Sequence, residues 1–216
     1  AGADGRGASG AADVEFSRER TATREAGKLV GIHAGEADSG DVSPALDLDP
    51  DFLVHMVHAD EIHLERVAQR GTPVVVCPRS NAVTGVGLPP VRDLLDRTTV
   101  ALGTDNAMLN SPSMFREMAV TAKLTGARTV EVLRMATVHG AEIAGLDCGL
   151  VAPGREARLL VLDGDSDNLA GAQDPRRAVV RRAGVSDVLA VTYPAQGVSS
   201  VLSERKLPGT GSVDRE

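Results

Sequence analysis

Short apolar runs alternate with charged, helix-like segments along the first half of the chain. Four runs of strand length are rich in Val, Leu and Ile, at residues 28–33, 52–57, 73–77 and 98–102. Strands that are apolar on both faces are typical of parallel sheets, whose two surfaces are covered by helices. The pattern therefore predicts parallel β/α units between residues 28 and 125.

Two α/β architectures fit this alternation: a doubly wound open sheet, and half of an eight-stranded barrel. Polar residues stand directly after several of the predicted strands. In barrels the active site lies at the carboxyl ends of the strands, so this placement favours the barrel. The doubly wound sheet, as an ordinary binding domain without a metal, stays open as an alternative.

The other segments differ from this region in composition. Residues 1–12 are rich in Gly and Ala without periodicity, and we predict that they are disordered. Residues 78–87 contain many turn formers and predict a loop. After Gly149 come short β-rich runs at 158–162, 179–182 and 188–193, and residues 204–216 form a polar tail.

Composition and charge exclude several classes of function. The chain has 23 Lys and Arg against 30 Asp and Glu, a net charge of -7, which argues against binding to nucleic acid or to an anionic membrane surface. Two cysteines are too few for a disulfide framework and suit a reducing compartment. With no run of 18 apolar residues, we expect a soluble cytoplasmic protein.

Candidate chemistry lies at three strand ends. His33 ends the first run and Glu36 follows three residues later, so this segment can supply a metal ligand and a proton shuttle. His55 lies at the end of the second run, and Asp105 follows the fourth. Each has an ordinary structural interpretation alone, but together they suit a divalent metal at a barrel rim.

Other conspicuous side chains receive structural interpretations. His58 points away from His55 because side chains alternate along a strand, and we assign it no catalytic role. We interpret His63 as a surface residue of a charged helix, His139 as structural, and Cys77 as buried packing.

Five motifs follow one another along this part of the chain: HAGE at 33–36, HMVHADE at 55–61, VCPRSN at 76–81, GLPPVRDLL at 87–95 and LGTDN at 102–106. This series resembles the C-terminal half of the amidohydrolase superfamily, in the branch of nucleobase and nucleoside deaminases and triazine chlorohydrolases. Residues 136–163 are similar to the segment that leads into the small β-sandwich of that family. The resemblance covers roughly residues 15–195.

The resemblance implies an α/β fold made of the C-terminal half of a TIM-type (β/α)8 barrel, followed by part of a small β-sandwich. Residues 13–148 would hold barrel strands five to eight with their helices, and residues 149–203 the sandwich segment. The implied activity is hydrolysis of non-peptide carbon–nitrogen bonds, as in deamination of a nucleobase-like or nucleoside-like nitrogen heterocycle.

The resemblance also implies roles for individual residues. His33 and Asp105 would bind one divalent metal ion, with zinc the first choice and iron or manganese as alternatives. Glu36, His55 and Asp105 would be catalytic: Glu36 passes protons to the leaving nitrogen, and Asp105 takes a proton from water. His55, Asn81 and Asn106 would contact the substrate.

The chain also departs from the family pattern. The family takes two further metal ligands from a His-x-His motif, and the five histidines of this chain contain none. We therefore expect the chain alone to be incomplete, with a homo-oligomer or a complementing N-terminal half as partner. The alternative function is that of a catalytically inactive, truncated amidohydrolase fragment acting as a structural or interaction module.

Overall fold

Five parallel strands form the main sheet of the protein. The computed structural model describes residues 4–11, 16–193 and 197–200. The strands are paired in chain order: β1 (Gly5–Ala8), β2 (Leu29–Ala34), β3 (Phe52–His55), β4 (Val74–Val76) and β5 (Val100–Leu102). Because every pair is parallel, all five carboxyl ends lie along one edge of the sheet. The predicted α/β fold with a parallel sheet is thus confirmed.

Nine α-helices lie within the described residues: α1 (Phe16–Glu25), α2 (Val42–Asp47), α3 (Glu61–Arg70), α4 (Pro78–Thr84), α5 (Val91–Leu95), α6 (Met114–Leu124), α7 (Thr129–Met135), α8 (Val138–Ile143) and α9 (Pro175–Arg182). The first five follow or connect the strands, which makes the β/α alternation that the sequence predicts. In the described part of the chain, each helix is too short or too polar to cross a membrane.

The core is aliphatic and lies on both faces of the sheet. Val30 and Ile32 of β2, Val74 of β4 and Val100 of β5 have no exposed surface. The helices cover them with side chains that are also fully or almost fully buried: Phe16, Leu46, Val67, Leu94 and Met135. Burial on both faces explains why β2 to β5 could be predicted as continuous apolar runs.

Strand β1 corrects the prediction that residues 1–12 are disordered. Gly5–Ala8 pair with Leu29–Ile32 in parallel register. A Cβ atom on Gly5 would lie 2.8 Å from the carbonyl oxygen of Leu29, so the close approach of the two strands requires glycine there. Backbone pairing forms this strand, and a strand without large apolar side chains shows no hydrophobic pattern in the sequence.

The predicted loop at residues 78–87 is also wrong in part, because Pro78–Thr84 form helix α4. Proline is favourable in the first turn of a helix, since its fixed φ suits the helix and its missing N–H is not needed there. The helix ends at Gly85. In contrast, α3 matches its sequence signals: Asp60 caps its first turn, and Gly71 ends it with φ of 65°.

The C-terminal segment contains a second sheet, which is antiparallel: β6 (Leu160–Leu162), β7 (Val188–Tyr193) and β8 (Gly197–Ser200). The predicted β-rich run at 179–182 is wrong, because these residues belong to α9. The Asp174 side chain accepts a hydrogen bond from the backbone N–H of Arg177, and Pro175 occupies the first turn. Helix α9 packs against α6 and α7. The predicted polar tail at 204–216 lies outside the described residues.

Candidate active site

Three of the predicted site residues meet at the carboxyl ends of β2 and β3. Ala34 and His55 are partners in the strand register, so the two strand ends lie side by side. One nitrogen of His33, one carboxylate oxygen of Glu36 and one nitrogen of His55 all lie within 4.8 Å of one another. Residues separated by up to 22 positions in the sequence are therefore close enough to share a ligand.

The two imidazole rings lie edge to face. Their centroids are 4.9 Å apart and their planes are inclined by 73°. Burial lowers the pKa of His33, and the neighbouring His55 lowers it further, while Asp105 and Glu36 oppose the change. The lowered pKa favours the neutral ring, and only a neutral imidazole has a lone pair for a metal ion.

His55 is held by a buried amide. Its Nδ1 atom is 3.1 Å from Nδ2 of Asn81, and neither residue has exposed surface. If Asn81 donates this hydrogen bond, the proton of the neutral ring lies on Nε2. That atom is 3.3 Å from Oε2 of Glu36, but it makes no well-aligned hydrogen bond to a described residue. The arrangement leaves the Nε2–H group of His55 available as a hydrogen-bond donor to a further group.

Asp105 follows β5, and its charge opposes the lowering of the pKa of His33, but its carboxylate is not among the ligand atoms that lie within 4.8 Å of one another. The hydroxyl group of Ser80 in α4 donates a hydrogen bond to its Oδ2 atom. Asp105 also has a backbone φ of 56°, and His55 has a φ of 78°. Such left-handed conformations cost about 1–3 kcal/mol in residues other than glycine, and they persist only where the surroundings impose them. Two of the site residues therefore carry backbone strain.

Asn81 and Asn106 have different surroundings, although the sequence assigns both to substrate contact. Asn81 is buried against His55, and its Oδ1 atom has no hydrogen-bond partner among the described residues. Asn106 is exposed, and its side-chain oxygen accepts a hydrogen bond of 2.8 Å from the backbone N–H of Met108. Substrate contact by these two residues stays a prediction.

The remaining histidines do not join the cluster. His58 is exposed. His63, predicted at the surface, is only 8% exposed, because its ring accepts a hydrogen bond from the Asp60 backbone in the cap of α3. Nδ1 of His139 lies 2.8 Å from the carbonyl oxygen of Val100, in agreement with its structural interpretation. Burial raises the pKa of the Cys77 thiol to about 12, in agreement with a packing role.

Sequence reasoning missed the residues of α4 and α6 that surround the site. Ser80 contacts Asp105, and Arg79 pairs with the buried Glu117. The VCPRSN motif contains the signal, since Arg79, Ser80 and Asn81 are consecutive in it. The interpretation of this segment as a loop concealed their common position on one helical turn.

The donor set fits a divalent metal ion of the zinc type. His33 and His55 offer imidazole nitrogen, and Glu36 and Asp105 offer carboxylate oxygen, which zinc, iron and manganese all accept. The observation that supports the fit is the grouping of His33, Glu36 and His55, each of which offers one ligand atom within 4.8 Å of the others. These residues define the class of the protein, a parallel α/β protein with side chains at its strand ends that can hold a metal ion.

The sequence profile of the amidohydrolase family matches residues 19–191, and the chain belongs to this family. A 5-methylthioadenosine/S-adenosylhomocysteine deaminase of Natronomonas pharaonis is 33% identical over an alignment that covers 89% of this chain and 50% of the relative. The chain spans half or less of the length of the curated relatives that it matches.

Solved structures show the same fold. A zinc-bound adenosine deaminase of Xanthomonas campestris superimposes with a TM-score of 0.77 at 25% identity, over 86% of this chain and 48% of that chain. A variant of the atrazine chlorohydrolase of Arthrobacter aurescens, solved with zinc and atraton, gives a TM-score of 0.76 at 20% identity, over 88% and 49%.

Proposed function

We propose that the natural protein carrying this chain is a metal-dependent hydrolase that deaminates a nitrogen heterocycle related to a nucleobase or nucleoside. The observation that carries the proposal is the cluster of His33, Glu36 and His55, whose ligand atoms lie within 4.8 Å at the carboxyl edge of the sheet. The names of the similar proteins, deaminases and a chlorohydrolase of nitrogen heterocycles, support the same substrate class.

The proposed architecture extends the observed one. The parallel sheet within residues 13–148 would be the C-terminal half of a TIM-type barrel, and residues 149–203 would be part of a small β-sandwich. Paired parallel strands in chain order, with helices between them, support the barrel. The three antiparallel strands β6 to β8 support the sandwich segment.

His33 and Asp105 would hold one divalent metal ion, with zinc as the first choice. When bound, such an ion lowers the pKa of a water molecule so that hydroxide is available near neutral pH. The lowered pKa of His33 suits a ligand role, because the ring stays neutral. Asp105 keeps Oδ1 available, since Oδ2 accepts the hydrogen bond from Ser80.

The proton transfers would be divided between two carboxylates. Asp105 would accept one proton of the attacking water, and Glu36 would give its proton to the ring nitrogen. The proton held by Asp105 would then pass to Glu36 and on to the amino group, which leaves as ammonia. The hydroxyl proton of the intermediate would return Glu36 to its acid form as the carbonyl forms. His55 would orient the nucleophile through Nε2, which lies 3.3 Å from Glu36. Asn81 and Asn106, together with His55, would contact the heterocycle.

The test is an assay of ammonia release by the longest natural polypeptide that contains these 216 residues. The purified protein, with zinc added, is incubated with guanine, cytosine, adenosine and methylthioadenosine. We expect turnover of at least one of these amines, and loss of that turnover on chelation of the metal. A zinc-loaded protein that releases no ammonia from any of them would contradict the proposed deamination.

One observation favours a second candidate, an inactive module with a structural or interaction role. The chain contains no His-x-His motif, so His33 and Asp105 would be joined by fewer protein ligands than a catalytic zinc usually has. This candidate predicts that purified protein carries no stoichiometric metal, which elemental analysis measures directly.

A further inference from the structure

Three consecutive residues of helix α4 contact three different parts of the site. Arg79 forms an ion pair with Glu117 of α6, Ser80 donates to Asp105, and Asn81 pairs with His55. Ser80 and Asn81 have no exposed surface, and the side chain of Arg79 is only 10% exposed. One buried helical turn thus contacts both strand ends that carry strained site residues.

Helix α4 is itself fixed by Arg79. Nη1 of Arg79 is 3.1 Å from Oε1 of the fully buried Glu117, and the backbone N–H of Arg79 donates a hydrogen bond to Oε2 of Glu117 at 3.3 Å. Its guanidinium group also donates to Oδ1 of Asn110 at 3.0 Å and to the carbonyl oxygen of Ser111 at 3.4 Å. Asn110 and Ser111 belong to the segment that follows Asp105, so Arg79 restrains that segment as well.

Ser80 acts on the orientation of a carboxylate. The carboxylate of Asp105 can rotate about its terminal bond, and its two oxygens are equivalent until a neighbour distinguishes them. The hydroxyl of Ser80 occupies Oδ2. Oδ1 is therefore the oxygen that remains for a metal ion or for a proton from water.

We infer that Ser80 is a positioning residue, which orients Asp105 for metal binding and is itself held in place by the Arg79–Glu117 pair. The inference rests on the proposed metal site and names a residue that acts through Asp105, without touching the substrate. Hydrogen-bond partners of metal ligands commonly change metal affinity by about 10- to 100-fold when they are removed. A serine that only fills space would leave the affinity unchanged.

The test compares Ser80→Ala with Thr84→Ala in the natural polypeptide. Thr84 lies on the same helix, and its hydroxyl donates to two carbonyl oxygens of that helix, at 3.2 Å to Ser80 and at 3.1 Å to Asn81. Zinc affinity of the metal-free protein is measured by titration calorimetry, its melting temperature by circular dichroism, and kcat and KM separately.

We expect Ser80→Ala to weaken zinc binding by about 10-fold or more and to lower kcat, with KM and the metal-free melting temperature almost unchanged. Thr84→Ala should change none of these. If the zinc affinity of Ser80→Ala stays within two-fold of that of the unaltered protein, the inference is overturned and the proposed function is not affected. Absence of zinc binding by the unaltered protein would overturn both the inference and the proposed function.

Discussion

Two clusters of charged side chains in this protein differ in how well their groups are paired. The strand-end cluster is taken as His33, Glu36 and His55, whose ligand atoms lie within 4.8 Å of one another, together with the neighbouring carboxylate of Asp105. The helix-end cluster consists of Glu131, at the first turn of α7, and the two arginines Arg92 and Arg128. Both contain carboxylates beside basic side chains, so composition alone does not distinguish them.

The helix-end cluster is satisfied. Both carboxylate oxygens of Glu131 accept hydrogen bonds, from Arg92 Nη1 at 2.6 Å, from the Arg128 backbone N–H at 2.6 Å and from Arg128 Nε at 2.8 Å. Although burial works against it, these bonds hold the pKa of Glu131 at about 2. Such a cluster stabilises the fold and has little capacity left for a ligand.

The strand-end cluster is not satisfied. Nε2 of His55 lacks a well-aligned partner among the described residues, burial lowers the pKa of His33, and two of the four residues have left-handed backbones. Polar groups that are buried without full pairing cost free energy, and proteins retain them mainly where a ligand completes them. The contrast shows that unpaired groups identify the site better than the number of charges.

The largest expected effect is on turnover, and it is obtained by replacing one glutamate of each cluster with glutamine. Glu36→Gln preserves shape but removes the transferable proton, so turnover should fall by about 10²- to 10⁴-fold with metal retained. Glu131→Gln is the matched control and should leave kcat unchanged. The measurement is steady-state ammonia release together with elemental analysis of both variants. Near-normal kcat in Glu36→Gln would mean that Glu36 is an ordinary loop carboxylate.

A smaller effect is expected on stability, and it is specific to the helix-end cluster. Glu131→Gln should lower the free energy of unfolding by about 1 kcal/mol near pH 7, because Arg92 is half-exposed and Arg128 is exposed, so that solvent screens the pairing. The folded-state pKa of about 2 lies below the ordinary value of 4.5. The contribution is therefore complete above about pH 4.5 and is lost as the pH falls toward 2.

Urea unfolding of the unaltered protein and of Glu131→Gln across this pH range measures the difference between them. The difference should shrink with decreasing pH. A difference that is constant or that grows as the pH falls would show that the Glu131 carboxylate charge is not what stabilises α7.

The sequence predicts the strands whose buried apolar side chains form a hydrophobic run. Runs of Val, Leu and Ile mark β2 to β5 because these strands are buried on both faces. Strand β1 contains two glycines and pairs through its backbone, so it has no such signal. Helix α9 was predicted as a strand because Val179 and Val180 dominate a short window, whereas the cap at Asp174 and the following proline decide the structure.

The candidate site could be predicted as far as it follows strand ends. His33, Glu36 and His55 were identified from their positions, and the structure brings them together. The contacts of Ser80 and Arg79 join residues that are 25 and 38 positions apart. No local pattern encodes such pairs, because they arise only when α4 and α6 are packed against the strand ends.

The metal content of three variants tests the central claim most directly. The natural polypeptide is purified with zinc as the unaltered protein, His33→Ala, Asp105→Ala and Glu131→Ala, and bound metal is measured by elemental analysis. We expect a single zinc ion in the unaltered protein and in Glu131→Ala, and loss of most of it in the other two, since each of these lacks one of the proposed ligands. Full zinc occupancy in both His33→Ala and Asp105→Ala would contradict the account.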